Sequence, residues 1–268
     1  MLGAIAGDII GSPYRNEKAD ADFPLFNENS YNTEISVMTL AVAEALMRVM
    51  RVQGKKNFSE GKFKNEVIYF MKTFGKQFKE IHYGRRFYAW IHVEKSFPYK
   101  SESNGAALRV SPIAWAFDNL EDVEKFAGIA ASVTHKTETG INYARAMAGM
   151  IFLARIKKEK ADIKNYFEEK TGLTLSKTIE DIRPDFDFMT SAPETVSAAL
   201  IAFLETENFE DAVRKAISLG GETNATASMS GALAEALYGI KTLTEVEAFE
   251  RLEKRLKFAL EKWEQWKN

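Results

Sequence analysis

No cysteine occurs among the 268 residues of this chain. Disulfides, zinc–thiolate centres and a cysteine nucleophile are therefore excluded. That usage fits a reducing compartment, so a cytoplasmic location is the expectation. Histidine is scarce, with only His82, His92 and His135. An excess of charge of either sign is also missing. Lys and Arg number 36 against 38 Asp and Glu, a formal net charge of −2 with no long run of one sign. Neither a nucleic-acid stripe nor a funnel for acidic substrates is expected. No stretch approaches the ~20 uncharged apolar residues that span a bilayer, so no membrane partner is expected. The first residues, "MLGAIAGDIIGSPY", are apolar but short, lack a basic leader and contain Asp8, so they read poorly as a signal peptide. A P-loop, a dinucleotide G-x-G-x-x-G, a Pro-rich linker and a repeat of 20–50 residues are all absent.

What is present is helical. Apolar residues make up 46% and charged residues 28%, the composition of an ordinary globular chain long enough for one large core. Alternating strand patterns are rare. Helical periodicity is read at 3–10, 33–51, 59–80, 85–92, 104–117, 121–132, 138–157, 161–170, 194–205, 208–218, 222–238 and 243–266. Asn32 or Thr33 suits the cap of the second helix, Asn208 caps "FEDAVRKAISLG", and Gly220-Gly221 ends it. The expectation is one all-α domain spanning 1–268. The small-residue segment 222–239 is expected at its centre, because small side chains let helix axes approach. The last helix, with Leu252, Leu256, Leu260 and Trp263 on a charged background, is expected at the periphery.

Several groups of residues are candidates for chemistry. Thr33-Glu34-Ile35-Ser36 opens one helix, and Glu222-Thr223-Asn224-Ala225-Thr226 opens another. Each sets a carboxylate beside hydroxyl or amide oxygens in a first turn. If the two starts converge, Thr33, Glu34, Glu222 and Asn224 offer hard oxygens to Mg²⁺ or Ca²⁺. Plain helix capping explains the same residues, and both readings stay open. In "SNGAALRVSPIAW" a tight Asn104-Gly105 loop precedes a helix, Ala106 and Ala107 permit close backbone approach, and Arg109 suits either a phosphate or a structural ion pair. His135, in "SVTHKTETG", is either catalytic or simply hydrogen-bonded. "YGRRF" at 83–87 is a basic aromatic turn suited to a phosphate or a base, or to capping a solvated helix.

Several blocks in one order carry a resemblance. They are "GAIAGDIIGSPY" at 3–14, "SVMTLAVAEAL" at 36–46, "YGRRFYAWI" at 83–91, "NGAALRVSPIAWAF" at 104–117, "VTH" at 133–135, "ALIAFLE" at 199–205, "FEDAVRKAISLGG" at 209–221 and "GALAEALYG" at 231–239. Together they resemble the ADP-ribosylglycohydrolase family, which includes ADP-ribosyl-acceptor hydrolases and the dinitrogenase reductase-activating glycohydrolases. The resemblance implies an orthogonal multi-helix all-α domain with a dinuclear Mg²⁺ site. Such a site binds ADP-ribose and helps water cleave the bond at ribose C1″.

At the implied metal positions this chain departs from the pattern. Thr33-Glu34-Ile35-Ser36 stands where the family typically has Thr-Asp-Asp-Thr, and Glu222-Thr223-Asn224-Ala225 where it has Asp-Ser-Asp-Thr. Arg15 replaces a common Glu, and Lys136-Thr137 follows His135 where Asn-His is frequent. Four carboxylates usually balance two divalent ions, and Glu34 and Glu222 are half that complement. The expectation is therefore one Mg²⁺ at most, or none. Arg15 is expected to pair with Glu34 or Glu222, or to hold a substrate phosphate. Asn104, Gly105, Ala106, Arg109, His135 and Arg15 are the expected ligand-binding residues. Glu34 and Glu222 are the candidate catalytic pair. The expected partner is an ADP-ribose-type small molecule or an ADP-ribosylated protein. Two readings follow: a divergent binder without conventional hydrolysis, or a hydrolase with one metal or an altered mechanism. The oligomeric state is left open.

Overall fold

The computed structural model of the chain describes residues 1–268 apart from 16–18, 20, 21, 55–57, 188 and 268. Among the described residues every named element is helical: α1 Leu2–Gly11, α2 Glu34–Gln53, α3 Glu60–Gln77, α4 Arg85–His92, α5 Gly105–Leu108, α6 Ser111–Ala116, α7 Leu120–Ser132, α8 Glu138–Arg155, α9 Lys160–Thr171, α10 Ile179–Ile182, α11 Ala192–Leu204, α12 Phe209–Ser218, α13 Thr223–Tyr238, α14 Thr242–Glu250 and α15 Lys254–Lys267. The all-α expectation holds. Among these residues no helix is long and apolar enough to cross a membrane.

The organising contact is α1 against α13. Gly3, Gly7 and Gly11 recur every fourth residue, so they share one face of α1. A Cβ at Gly7 would lie 2.1 Å from the Ala227 carbonyl oxygen, one at Gly3 2.4 Å from that of Gly231, and one at Gly11 2.7 Å from the Asn224 Cα. The two backbones touch with no side chain between them. The pairing also falls in one index as it rises in the other, so the helices are antiparallel and the end of α1 meets the start of α13. Residues of α13 from Thr223 to Ala234 are all buried, so the small-residue helix is central as expected.

Two expected helices are each broken in two. The 104–117 segment divides into α5 and α6 because Pro112 has no N–H to give the Leu108 carbonyl. Thr39 Oγ1 donates to that carbonyl instead, at 3.3 Å. The 243–266 segment divides after α14. Asn32, far away in sequence, accepts the Glu253 N–H at 3.2 Å, and the Glu253 carboxylate accepts the Arg255 N–H at 2.9 Å, which together start α15 afresh. Leu252, in the turn, and Leu256, Leu260 and Trp263 are all buried as the apolar stripe implied, with α15 resting on α2. The short helix α10 is started by a reciprocal Thr178–Asp181 capping box.

Residues 99–104 form a wall held from two sides. The Tyr99 N–H reaches the Thr134 carbonyl at 2.8 Å and the Lys136 N–H returns to the Tyr99 carbonyl at 3.0 Å. The Ala192 N–H binds the Glu102 carbonyl and the Asn104 N–H the Thr190 carbonyl, both at 2.8 Å. His135 locks the first junction. Its Nε2 lies 3.1 Å from the Ser103 carbonyl oxygen and its Nδ1 2.8 Å from Thr134 Oγ1. A neutral ring with the proton on Nε2 satisfies both contacts. Burial, reinforced by the nearby Arg109 guanidinium, holds its pKa down at about 4.

Two expected outcomes follow. Gly7→Ala lowers stability by roughly 2–3 kcal/mol through backbone collision, despite a helix-propensity gain of about 1 kcal/mol. Gly61→Ala on α3, where nothing lies within 4 Å, is neutral or stabilising in the same urea titration. His135 has a pKa of about 4 in the folded chain against 6.5 for the free side chain. Above 6.5 its contribution is complete; between 6.5 and 4 the unfolded chain binds a proton that the folded chain refuses, and stability falls. At ~1.4 kcal/mol per unit the loss is on the order of 3 kcal/mol. His135→Gln should flatten that acid limb when unfolding is measured across the interval. An unchanged limb would exclude His135 as its source.

Candidate functional site

The site is assembled around Asp8, which is fully buried on α1. One carboxylate oxygen accepts from the Thr33 N–H at 2.9 Å, the Ser36 N–H at 3.1 Å and the Ser36 hydroxyl at 2.5 Å. The other accepts from the Thr33 hydroxyl at 2.5 Å and the Asn224 amide at 3.4 Å. An anion here satisfies orphan amides at the start of α2. Burial pushes the Asp8 pKa up, and these donors work against that shift. Asn224 Nδ2 also lies 3.2 Å from Thr33 Oγ1, so the two helix starts do meet. Thr33 is the N-cap of α2 and accepts from the Ile35 N–H.

Glu34 and Glu222 stand beside this knot. Glu34 is the first residue of α2, and Glu222 is the N-cap of α13 after two glycines with φ of 79° and 66°. One oxygen of Glu222 accepts from Asn104 Nδ2 at 2.7 Å, and the other lies 3.9 Å from Arg15 Nη2. Of the two expected partners, Arg15 is therefore paired with Glu222. Burial raises the pKa of Glu34 to about 7; the Asp8 carboxylate adds to the rise, while its own backbone N–H and Arg15 oppose it. Glu222 is raised as well, again chiefly by burial, against the Asn104 hydrogen bond and Arg15.

Both carboxylates line a cleft of about 470 Å³. Asn104, Gly105, Arg109 and His135 line it too. Thr33, Asn224 and Ala106 are buried behind it, and Arg15 joins through Glu222. Arg109 is anchored within the protein. Its guanidinium donates to the Ala130 carbonyl at 2.9 Å, to Thr134 Oγ1 at 2.7 Å and to the Gly105 carbonyl at 3.3 Å, and the side chain is buried. It ties the end of α7 to α5. The solvent-exposed arginines of the cleft are Arg85 and Arg86, which open α4, with Phe87 beside them and Tyr99 on the wall.

Sequence reasoning missed Asp8 as a site residue. The available signal was a lone acidic residue inside an otherwise apolar helix, which demands a buried partner. It also missed Tyr99, Ser103 and Thr190, which long-range backbone pairing brings to the cleft.

The donor set does not fit a pair of Mg²⁺ ions. Both Asp8 oxygens are taken by donors. Thr33 Oγ1 gives its proton to Asp8 and accepts from two amides. Both Glu222 oxygens face nitrogen donors. Among the described residues Glu34, whose carboxylate accepts its own backbone N–H, and Asn224 Oδ1, buried without a partner, are the acceptors left. Among the described residues no three His, Asp or Glu side chains stand together as an ion would need.

The comparisons agree with the architecture. Residues 1–266 match the family described as ADP-ribosylglycohydrolase. The mouse (Mus musculus) ADP-ribosylhydrolase ARH3 is 22% identical over 318 aligned positions, covering 91% of this chain and 84% of that protein. The chicken (Gallus gallus) ARH3 is 28% identical, over 52% of this chain and 50% of its own length. The ADP-ribosylarginine hydrolase Tri1 of Pseudomonas putida (strain GB-1) is 25% identical, over 56% and 42%. A solved structure titled an ADP-ribosylglycohydrolase-related protein complex aligns with a TM-score of 0.70 at 20% identity, over 100% of this chain and 96% of that one. The chain belongs to the ADP-ribosylglycohydrolase family.

Proposed function

We propose that this protein binds an ADP-ribose-type ligand, free or carried on an ADP-ribosylated protein, without the two-ion chemistry that the family resemblance implies. The observation that carries the reading is one cleft lined by Glu34, Glu222 and Asn104 together with Arg85, Arg86, Phe87 and Tyr99. Carboxylates and an amide suit ribose hydroxyls. Exposed guanidinium groups suit a diphosphate, and aromatic faces suit a base. Family membership supports the same ligand class.

A second reading has its own support. Glu34 has a pKa of about 7 and lies in the cleft with few donors. A carboxylate poised there can take a proton from water as the water oxygen bonds to the anomeric carbon; the bond from that carbon to the acceptor's nitrogen or oxygen breaks, and the acceptor leaves with the proton handed on by the same carboxyl group. That reading makes the protein a hydrolase of an N- or O-glycosidic bond to ADP-ribose, with an altered mechanism.

Calorimetric titration of ADP-ribose, with and without Mg²⁺, tests the first reading. Binding is expected in both conditions. A Cβ at Gly105 meets nothing closer than Ser103 Oγ at 3.9 Å, so Gly105→Trp fills the cleft without straining the backbone. It should weaken binding at least about tenfold, or ~1.4 kcal/mol. Unchanged affinity would remove the cleft from the proposal. For the second reading, release of ADP-ribose from a modified protein should drop about 100-fold or more in Glu34→Gln. Full activity in that variant would end the assignment of Glu34 as base.

A further inference from the structure

We infer that the Arg15 guanidinium is the built-in counter-cation of this site, doing for Glu222 and Glu34 what a divalent ion would otherwise do. The inference concerns the cleft proposed for ADP-ribose but does not require that ligand, and its test uses none.

Three carboxyl groups, on Asp8, Glu34 and Glu222, share one largely buried region. Each Glu feels the Asp8 charge as a repulsion, and Glu34 also feels Glu222. Against them, among the described residues, Arg15 is the cation that acts on both glutamates, and its charge favours the ionised form of each. Arg109, a fully buried guanidinium near the cleft, donates to carbonyls and Thr134. Arg15 is itself held in place. The turn Ser12–Tyr14 before it is fixed by the Ser12 hydroxyl, which donates to the Ile9 carbonyl at 2.9 Å and accepts the Tyr31 N–H at 3.0 Å. Tyr14 packs on Phe23 with ring centroids 4.5 Å apart and donates to the Pro24 carbonyl at 3.1 Å. The Arg15 side chain is 27% exposed and that of Glu222 11%, so the pair sits where solvent screens it only in part.

The consequence is a choice between two cations. A guanidinium already near Glu222 repels an incoming divalent ion and competes for the same oxygen. Removing its charge leaves the carboxylates short of compensation and opens the place to a metal.

The experiment reads melting temperature, with Mg²⁺ or Ca²⁺ alone as probe, in the parent, Arg15→Gln, Arg15→Lys and the Arg15→Gln/Glu222→Gln double variant. Arg15→Gln should melt lower by roughly 3 °C or more. Arg15→Lys should recover most of the loss, because it restores charge without shape. The double variant should recover it too, because no carboxylate is left unpaired at 222. Millimolar Mg²⁺ or Ca²⁺ should raise the Arg15→Gln melting temperature and leave the parent unmoved. A parent stabilised by either ion overturns the inference. So does an Arg15→Lys or double variant that melts with Arg15→Gln, since the effect would then be packing and not charge. Failure of ADP-ribose to bind would end the ligand reading and leave these temperatures untouched.

Discussion

The Asp8 carboxylate is the interaction on which the site depends. It is fully buried, yet it is held by donors from α2 and α13, so three helices are fixed relative to one another by one side chain. Isolated burial of a carboxylate is costly, and the cost is offset only when its lone pairs meet donors of good geometry. Here the donors are groups that a helix start leaves unsatisfied in any case. The glycine face of α1 makes this reach possible. Because backbone meets backbone at Gly3, Gly7 and Gly11, the end of α1 lies close enough to the start of α13 for Asp8 and Asn224 to touch.

From that knot the electrostatics of the cleft follow. Glu34 and Glu222 must lie next to Asp8, because each sits at the start of a helix that Asp8 helps to organise. Burial raises the pKa values of all three, and for Glu34 and Glu222 the nearby Asp8 charge adds to the rise. Neutral donors lessen the conflict. Asn104 does so at Glu222, and the hydroxyls of Thr33 and Ser36 do so at Asp8. The Thr33 and Ser36 hydroxyls are thus committed inward. Ile35 between them is buried and serves the core as well as the cleft wall. An apolar residue amid oxygen donors is what this geometry calls for, since only the flanking hydroxyls face the carboxylate.

Much of this was legible in the sequence. Helix starts at Thr33, Asn208 and Glu222 follow from local capping chemistry and from the glycine pair, and the central place of α13 follows from its small residues. What was not legible is long-range. The break at Pro112 carries a local signal, but Asn32 capping Glu253 does not, because the partner lies 221 residues away. The role of Arg109 was open for the same reason. Its spacing suits a phosphate, and only the fold shows three backbone carbonyls, those of Gly105, Ala130 and Ala131, waiting for it. Asp8 was visible as an anomaly in an apolar helix, but its partners belong to helices that begin 25 and 215 positions later, at Thr33 and Thr223.

The remaining constraint is that the two sides of the cleft are held by different means. One side is the Asp8 knot, where fixed charge and helix ends meet. The other is the 99–104 segment, pinned by backbone pairing to the 134–136 turn and to the start of α11. His135 and Arg109 both serve that second side, His135 through Ser103 and Arg109 through Thr134, and Thr134 joins them. A protonated His135 beside a buried guanidinium would put two cations against one hydroxyl, and burial and Arg109 together keep the ring neutral. Asn104 is where the two sides touch: its backbone N–H belongs to the wall and its side chain to Glu222. Movement of the wall must therefore change the hydrogen bonding of Glu222, and a change in the charge of Glu222 must be felt at the wall.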